Sequence, residues 1–308
     1  SNENWTRSLQ KDSWMSSKSI KGGRIKMAYK ITKKNVLEEI NVGKRMDGRS
    51  LFEHRPIEIK FNISKNAEGS VSVKIGKTEV AAGIKMGVAE PYTDHENEGT
   101  MMTTMELLPL SSPSFEYGPP SIESVEIARI IDRGIRESGF IDFKKLCIKE
   151  REKVWSIFID LATINDDGNL IDAGALAAVL ALLVARRPEY DEETDSIKYG
   201  EFTDEKIPLN LDKMPLTSTL FKIGEHFFLD PTREEEDASD GRITTEVSKP
   251  GKDEMINAMQ KGGEAVFSVE QVEKIVEESI KSFKKLHALI TIEVEKFESS
   301  RDKPKKKK

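Results

Sequence analysis

Between residues 121 and 138, apolar side chains at Ile122, Val125, Ala128, Ile131 and Ile135 recur every three or four positions, the interval that gathers them on one side of a helix. Pro120 and Ser121 provide the start signal and Gly139 the stop, because a serine oxygen accepts from the first free N–H groups and glycine adopts the left-handed turn that ends a helix. A second helix is expected over 172–187. Its Ala and Leu residues cover every face, so it has no solvent side and belongs in the interior. A third starts after Ser268, which forms a capping box with Glu270 and Gln271, and turns Val272, Ile275, Val276, Ser279, Phe283, Leu286 and Ile290 inward. A short helix is expected at 35–41.

Elsewhere the dominant period is two. Strands are predicted over 56–63, 70–75 and 78–86, the last two forming a hairpin across Gly76-Lys77, then over 101–109, 145–149 and 153–164. A second set follows at 216–223, 226–230 and 242–247. Residues 91–99 form an acidic loop, and 111–120, with Pro113, Pro119 and Pro120, an extended connection. Lys74-Ile75-Gly76 returns as Lys222-Ile223-Gly224, and each half proceeds from sheet to helix. That order favours two related α+β halves over a doubly wound parallel sheet. Residues 188–206, with eight acidic and two basic side chains, are read as a solvated junction with too little apolar area to pack. The expected organisation is an extension or expression remnant at 1–26, an N-terminal half at 27–190, a C-terminal half at 207–292 and a basic tail at 293–308.

Charge changes this picture by its distribution. The formal net is -6, but residues 1–34 carry +7 and 301–308 carry +5, which leaves -18 on the body. An acidic body repels phosphate at long range, so any nucleic-acid contact needs a local basic patch, the tails or a partner. The longest apolar stretch, 173–185, is too short to cross a bilayer, and a cytoplasmic location without membrane contact is expected. Cys147 stands alone, which excludes an internal disulfide framework.

Nucleotide-loop, zincin and nucleophile-elbow motifs are absent, and neither cofactor nor metal is expected. His54, His95, His226 and His287 are scattered, and Asp94-His95-Glu96 is read as a polar loop. Asp230 with Glu234, Glu235 and Glu236 has the carboxylates for Mg²⁺ but no convergent phosphate donors; the preferred reading is a turn with its acids in solvent. Arg129, Arg133 and Arg136 are more informative. At 100° per residue they share a 60° arc of the 121–138 helix. Such a stripe is either paired internally, through Glu126, Asp132 and Glu137, or offered to an anionic partner.

The chain resembles the RNase PH family, and within it the non-catalytic RNase PH-like subunit of the archaeal exosome. The resemblance runs from about Asn35 to Ile290. It is carried by Gly43-Lys44-Arg45-Met46-Asp47-Gly48-Arg49, by Asn97-Glu98-Gly99, by 106–113 (Glu-Leu-Leu-Pro-Leu-Ser-Ser-Pro), by 126–136 (Glu-Ile-Ala-Arg-Ile-Ile-Asp-Arg-Gly-Ile-Arg) and by Asp230-Pro231-Thr232. It implies an α+β RNase PH-like fold of two βαβ-rich halves with ribosomal protein S5 domain 2-like topology. It also implies a catalytic RNase PH-like paralogue as partner in a hetero-hexameric trimer of dimers, RNA-binding cap proteins, and single-stranded RNA as substrate of the ring.

Active relatives carry Gly-Gly-Thr-Arg-Ser or -Cys before the buried helix, where the arginine and hydroxyl bind phosphate. Here Ile171 and Asp172 stand in that stretch, an apolar group and a negative charge. Active relatives also place an acid before a Met-Pro or Met-Asn pair, where this chain has Lys213. The resemblance therefore implies an RNA-binding subunit without catalysis of its own, with Arg129, Arg133 and, less securely placed beside Asp132, Arg136 reaching RNA. The alternatives are a self-sufficient phosphate-dependent 3′ exoribonuclease and, from another class, a small-molecule kinase or translation-associated protein sharing the fold.

Overall fold

The computed structural model describes residues 33–191 and 193–301. The expected extension at 1–26 and the lysine run at 303–308 lie outside the described residues.

Helix α1 (33–41) opens the described chain. Strands β1 (Ile57–Phe61), β2 (Gly69–Ile75), β3 (Thr78–Ala89) and β4 (Thr100–Glu106) precede helix α2 (Ile122–Ser138). After β5 (Cys147–Lys149) and β6 (Lys153–Asn165) comes helix α3 (Leu170–Val184). These strands form one sheet in the order β1-β2-β3-β6-β4, with β5 also on β6; β4 runs parallel to β6 and the other pairs are antiparallel. Along β3, Val80, Ala82, Ile84 and Met86 are buried while Ala81, Gly83 and Lys85 are half-exposed, the alternation of a sheet covered by helices on one face.

The second sheet runs β10-β9-β11-β12, from β9 (Leu216–Ile223), β10 (His226–Leu229), β11 (Gly241–Ser248) and β12 (Met255–Gly263), all antiparallel. Short helix α4 (Arg233–Ala238) joins β10 to β11, and α5 (Val269–Arg301) closes the chain. Side chains alternate across β9. Thr219, Phe221 and Ile223 face α3 and α1, whereas Ser218 and Leu220 face α5. The layers are therefore first sheet, then α2 with α3, then second sheet, with α5 running from the outer face of the second sheet to α3 and β1.

Every residue of α3 is buried, as its uniform apolarity requires, because it packs on β2 and β3 below and β9 above. It stops at Val184 rather than 187. Arg186 already begins β7 (Arg186–Asp191), which pairs with β8 (Ser196–Lys206) across the segment expected to be an unpacked junction. The reason for the difference is local. Tyr190 sets its ring edge-on to Trp155 at 5.8 Å, and Arg186–Asp204 and Arg187–Glu205 pair the charges between strands. Helix α5 likewise continues past its inward stripe to Arg301, because Phe297 stacks on Phe61 at 4.5 Å.

The two halves repeat the same hairpin. Ile75 pairs with Thr78 around Gly76 at φ +61°, and Ile223 pairs with His226 around Gly224 at φ +57°. Glycine adopts this backbone at no steric cost, which explains the repeated Lys-Ile-Gly.

Candidate nucleic-acid interface

Helix α2 is capped as its sequence dictates. The Ser121 side chain accepts from the Ser124 N–H, and Gly139 adopts the left-handed conformation at φ +67°. It packs against β4 and β12, the outer strands of the two sheets, so its remaining face lies between two strand edges. That face carries Arg129, Arg133 and Arg136, all exposed.

The three arginines have different company. Arg136 donates to Asp132 from Nε at 3.1 Å and to the Met101 carbonyl, and its guanidinium lies 5.6 Å from the Phe143 ring centre. It is committed to holding α2 on β4. Glu126, available in sequence to Arg129, turns instead to Arg242 at 2.9 Å and to Gln260. Arg129 and Arg133 form no hydrogen bond or ion pair among the described residues. Internal pairing thus describes one arginine of the three, and two exposed guanidiniums remain one helical turn apart.

The segment expected to be a lost phosphate site forms the first turn of α3. Asp172 is buried and accepts from Thr219 twice, from Oγ1 at 2.7 Å and from N–H at 3.0 Å. Burial pushes its pKa up to about 7 against the lowering by those hydrogen bonds. Its carboxyl therefore fastens α3 to β9. Ile171, also buried, lines a cleft of about 210 Å³ with Glu123, Glu126, Glu236, Arg233 and Arg242. Both cations there are engaged: Arg242 with Glu126, and Arg233 with Asp166 and Asp237. A free phosphate entering this cleft would find carboxylates and occupied guanidiniums.

Lys213 ends a 3-10 turn (Leu211–Lys213), and a Cβ built on Gly139 would lie 3.5 Å from its Nζ. Its ammonium stands at the C-terminal end of α2, where the helix dipole favours positive charge.

The acids around Asp230 correct the solvent-facing turn expected for them. Asp230 is fully buried, accepts from the Arg55 N–H at 2.7 Å and Arg55 Nη2 at 2.7 Å, and also receives Asn169 and Arg49. These donors hold its pKa below the usual carboxylate range despite burial. Glu235 pairs with Arg45, whose Nη1 also donates to the Leu229 carbonyl at 2.6 Å. Only Glu234 of this acidic group is exposed. The network ties the 45–55 segment to the second sheet, and it was hidden because charged residues at long separation carry no periodic signal. The histidines stay apart: His54 meets Ser282, His226 meets Asn41, and His95 meets Glu98.

The sheets and helices fall into two parts that match the two domains of one family of 3′ exoribonucleases, and the chain belongs to that RNase PH family. Residues 53–188 match the 3′ exoribonuclease family, domain 1, and residues 213–282 match its domain 2. Within that family the similarity is to archaeal Rrp42. The exosome complex component Rrp42 of Thermococcus onnurineus is 43% identical over 244 residues, covering 79% of this chain and 88% of the relative. That of Methanothermobacter thermautotrophicus is 44% identical over 246 residues, covering 80% and 89%. Among solved structures, a chain of the Archaeoglobus fulgidus exosome with RNA bound to the active site superposes with a TM-score of 0.77 at 38% identity, covering 85% of this chain and 98% of that one.

Proposed function

We propose that this chain is the non-catalytic, RNA-gripping subunit of an exosome-type 3′ exoribonuclease, working in a hetero-hexameric trimer of dimers with a catalytic RNase PH-like paralogue. One contrast supports the reading: Arg129 and Arg133 are exposed and unpaired among the described residues, while the cations beside Ile171 are engaged with carboxylates. Guanidiniums one turn apart suit successive phosphates of a single strand and position it without reading bases. Phosphorolytic work then falls to the partner, because Ile171 and the buried Asp172 stand where active relatives bind phosphate, and Lys213 stands where they carry an acid. RNA-binding cap proteins and a cytoplasmic location complete the reading. No helix among the described residues is long and apolar enough to cross a membrane.

The test is the Arg129→Ala/Arg133→Ala double variant assembled with the paralogue. Weaker binding of single-stranded RNA and slower phosphate-dependent decay are expected; affinity and rate equal to the unaltered assembly would contradict the reading.

A further inference from the structure

Glu246 lies on β11 with 2% of its surface exposed, on the face turned to α2 and α3. Its Oε2 has no hydrogen-bond partner among the described residues. Space for the carboxyl exists because α2 carries Gly134 there: a Cβ built on that glycine would overlap it. A glycine inside a helix weakens it, so this one is explained by the carboxyl it admits. Arg133, Thr244 and Gln260 line the same narrow crevice. The charged groups facing Glu246 are Arg133 from α2 and Asp172 from α3; Thr244 on its own strand and Gln260 on β12 are neutral. Burial pushes the Glu246 pKa up to about 8, Arg133 draws it back and Asp172 adds to the rise.

We propose that Glu246 is a positioning residue for Arg133, a buried carboxyl seated in the Gly134 notch that stays protonated while RNA is held and, once ionised, draws the guanidinium away from the phosphate strand. The step is a simple proton loss to solvent, with one negative charge appearing beneath one positive charge. It makes RNA affinity fall as pH rises through the Glu246 titration. The inference rests on the RNA-binding reading of Arg133.

The experiment measures binding of a fluorescein-labelled oligoadenylate between pH 7 and pH 9 by the full chain assembled with its paralogue, in unaltered, Glu246→Gln and Arg133→Ala forms. Unaltered assembly should lose roughly threefold in affinity, the size expected of one partly screened charge pair, while Glu246→Gln keeps its pH 7 affinity throughout. Parallel decline in these two forms overturns the proposal while leaving the RNA reading intact. Arg133→Ala should bind weakly and without pH dependence, which supplies the comparison where Glu246→Gln does not assemble; a persisting decline in it overturns the proposal. Arg133→Ala binding as tightly as the unaltered form at pH 7 overturns the RNA reading and the proposal together.

Discussion

Arg129, Arg133 and Arg136 share one arc of α2, and what separates them is the position of the nearest acid. Asp132 lies one turn before Arg136 and pairs with it, whereas Glu126 leaves Arg129 for Arg242 across the groove. Replacing Arg129 or Arg133 singly by Ala is expected to weaken RNA binding about three- to tenfold and to lower the salt slope by roughly one, as a single phosphate contact does. Arg136→Ala should leave affinity within about twofold and cost about 0.5–1 kcal/mol of stability, since it removes an exposed pair. Salt-titrated binding and chemical denaturation of the three variants check both statements; equal effects of all three on affinity would contradict them. Lys213→Asp places an acid before Met214-Pro215, yet it should confer no phosphorolysis, because the guanidiniums facing the Ile171 cleft, Arg233 and Arg242, are held by carboxylates. It should instead cost about 1 kcal/mol by placing an anion at the C-terminal end of α2. Release of nucleoside diphosphate by that variant would show the lysine to be the sole defect.

At the scale of elements, legibility followed periodicity. The limits of α2 were readable from Pro120, Ser121 and Gly139, and the burial of α3 from its lack of a polar face. The final helix was readable from Ser268 and Gln271, which exchange hydrogen bonds as a capping box. The hairpin β7–β8 was not readable, because its strands are dense in charge and the residues that pack, Tyr190 and Ile197, are few. Nor was β12, whose exposed Met255 and Ile256 break the alternation of a covered strand. The candidate interface was half legible. Helical geometry put the arginines on one side, but which of them is free depends on Glu126 meeting a strand more than a hundred residues away. Gly134→Ala tests the packing between these elements. Better helix propensity favours alanine by about 1 kcal/mol, while forcing the buried Glu246 carboxyl aside costs about 1–3 kcal/mol, so net destabilisation is expected. A raised denaturation midpoint for Gly134→Ala would show that the carboxyl yields freely.

For the whole molecule, buried carboxyls with raised pKa values, Asp172 and Glu246 foremost, dominate the response to rising pH. Asp172, with its pKa pushed up to about 7, and Glu246, up to about 8, hold protons in the folded chain that an unfolded chain releases near pH ~4. The folded state therefore binds more protons between these limits. Their stabilising contribution is fully present below pH ~4 and is lost as pH rises through 7 and 8. Asp230, held low by Arg55, acts in the opposite sense and loses its contribution only as pH falls below the usual carboxylate range. Urea midpoints should decline from about pH 5 to pH 9, and Asp172→Asn/Glu246→Gln should flatten the curve; a midpoint rising across that range would contradict the buried, protonated pair.

On the proposed reading, the exposed arginine pair holds RNA, while the Ile171 cleft, its guanidiniums engaged, leaves cleavage to another chain. The most direct test is phosphate-dependent release of nucleoside diphosphates from single-stranded RNA, followed for this chain alone and after assembly with a catalytic RNase PH-like paralogue. No release by the chain alone and steady release by the assembly, slowed when Arg129 and Arg133 are both alanine, is the predicted result. Phosphate-driven shortening by the isolated chain, abolished by substitutions in its own residues, would contradict it.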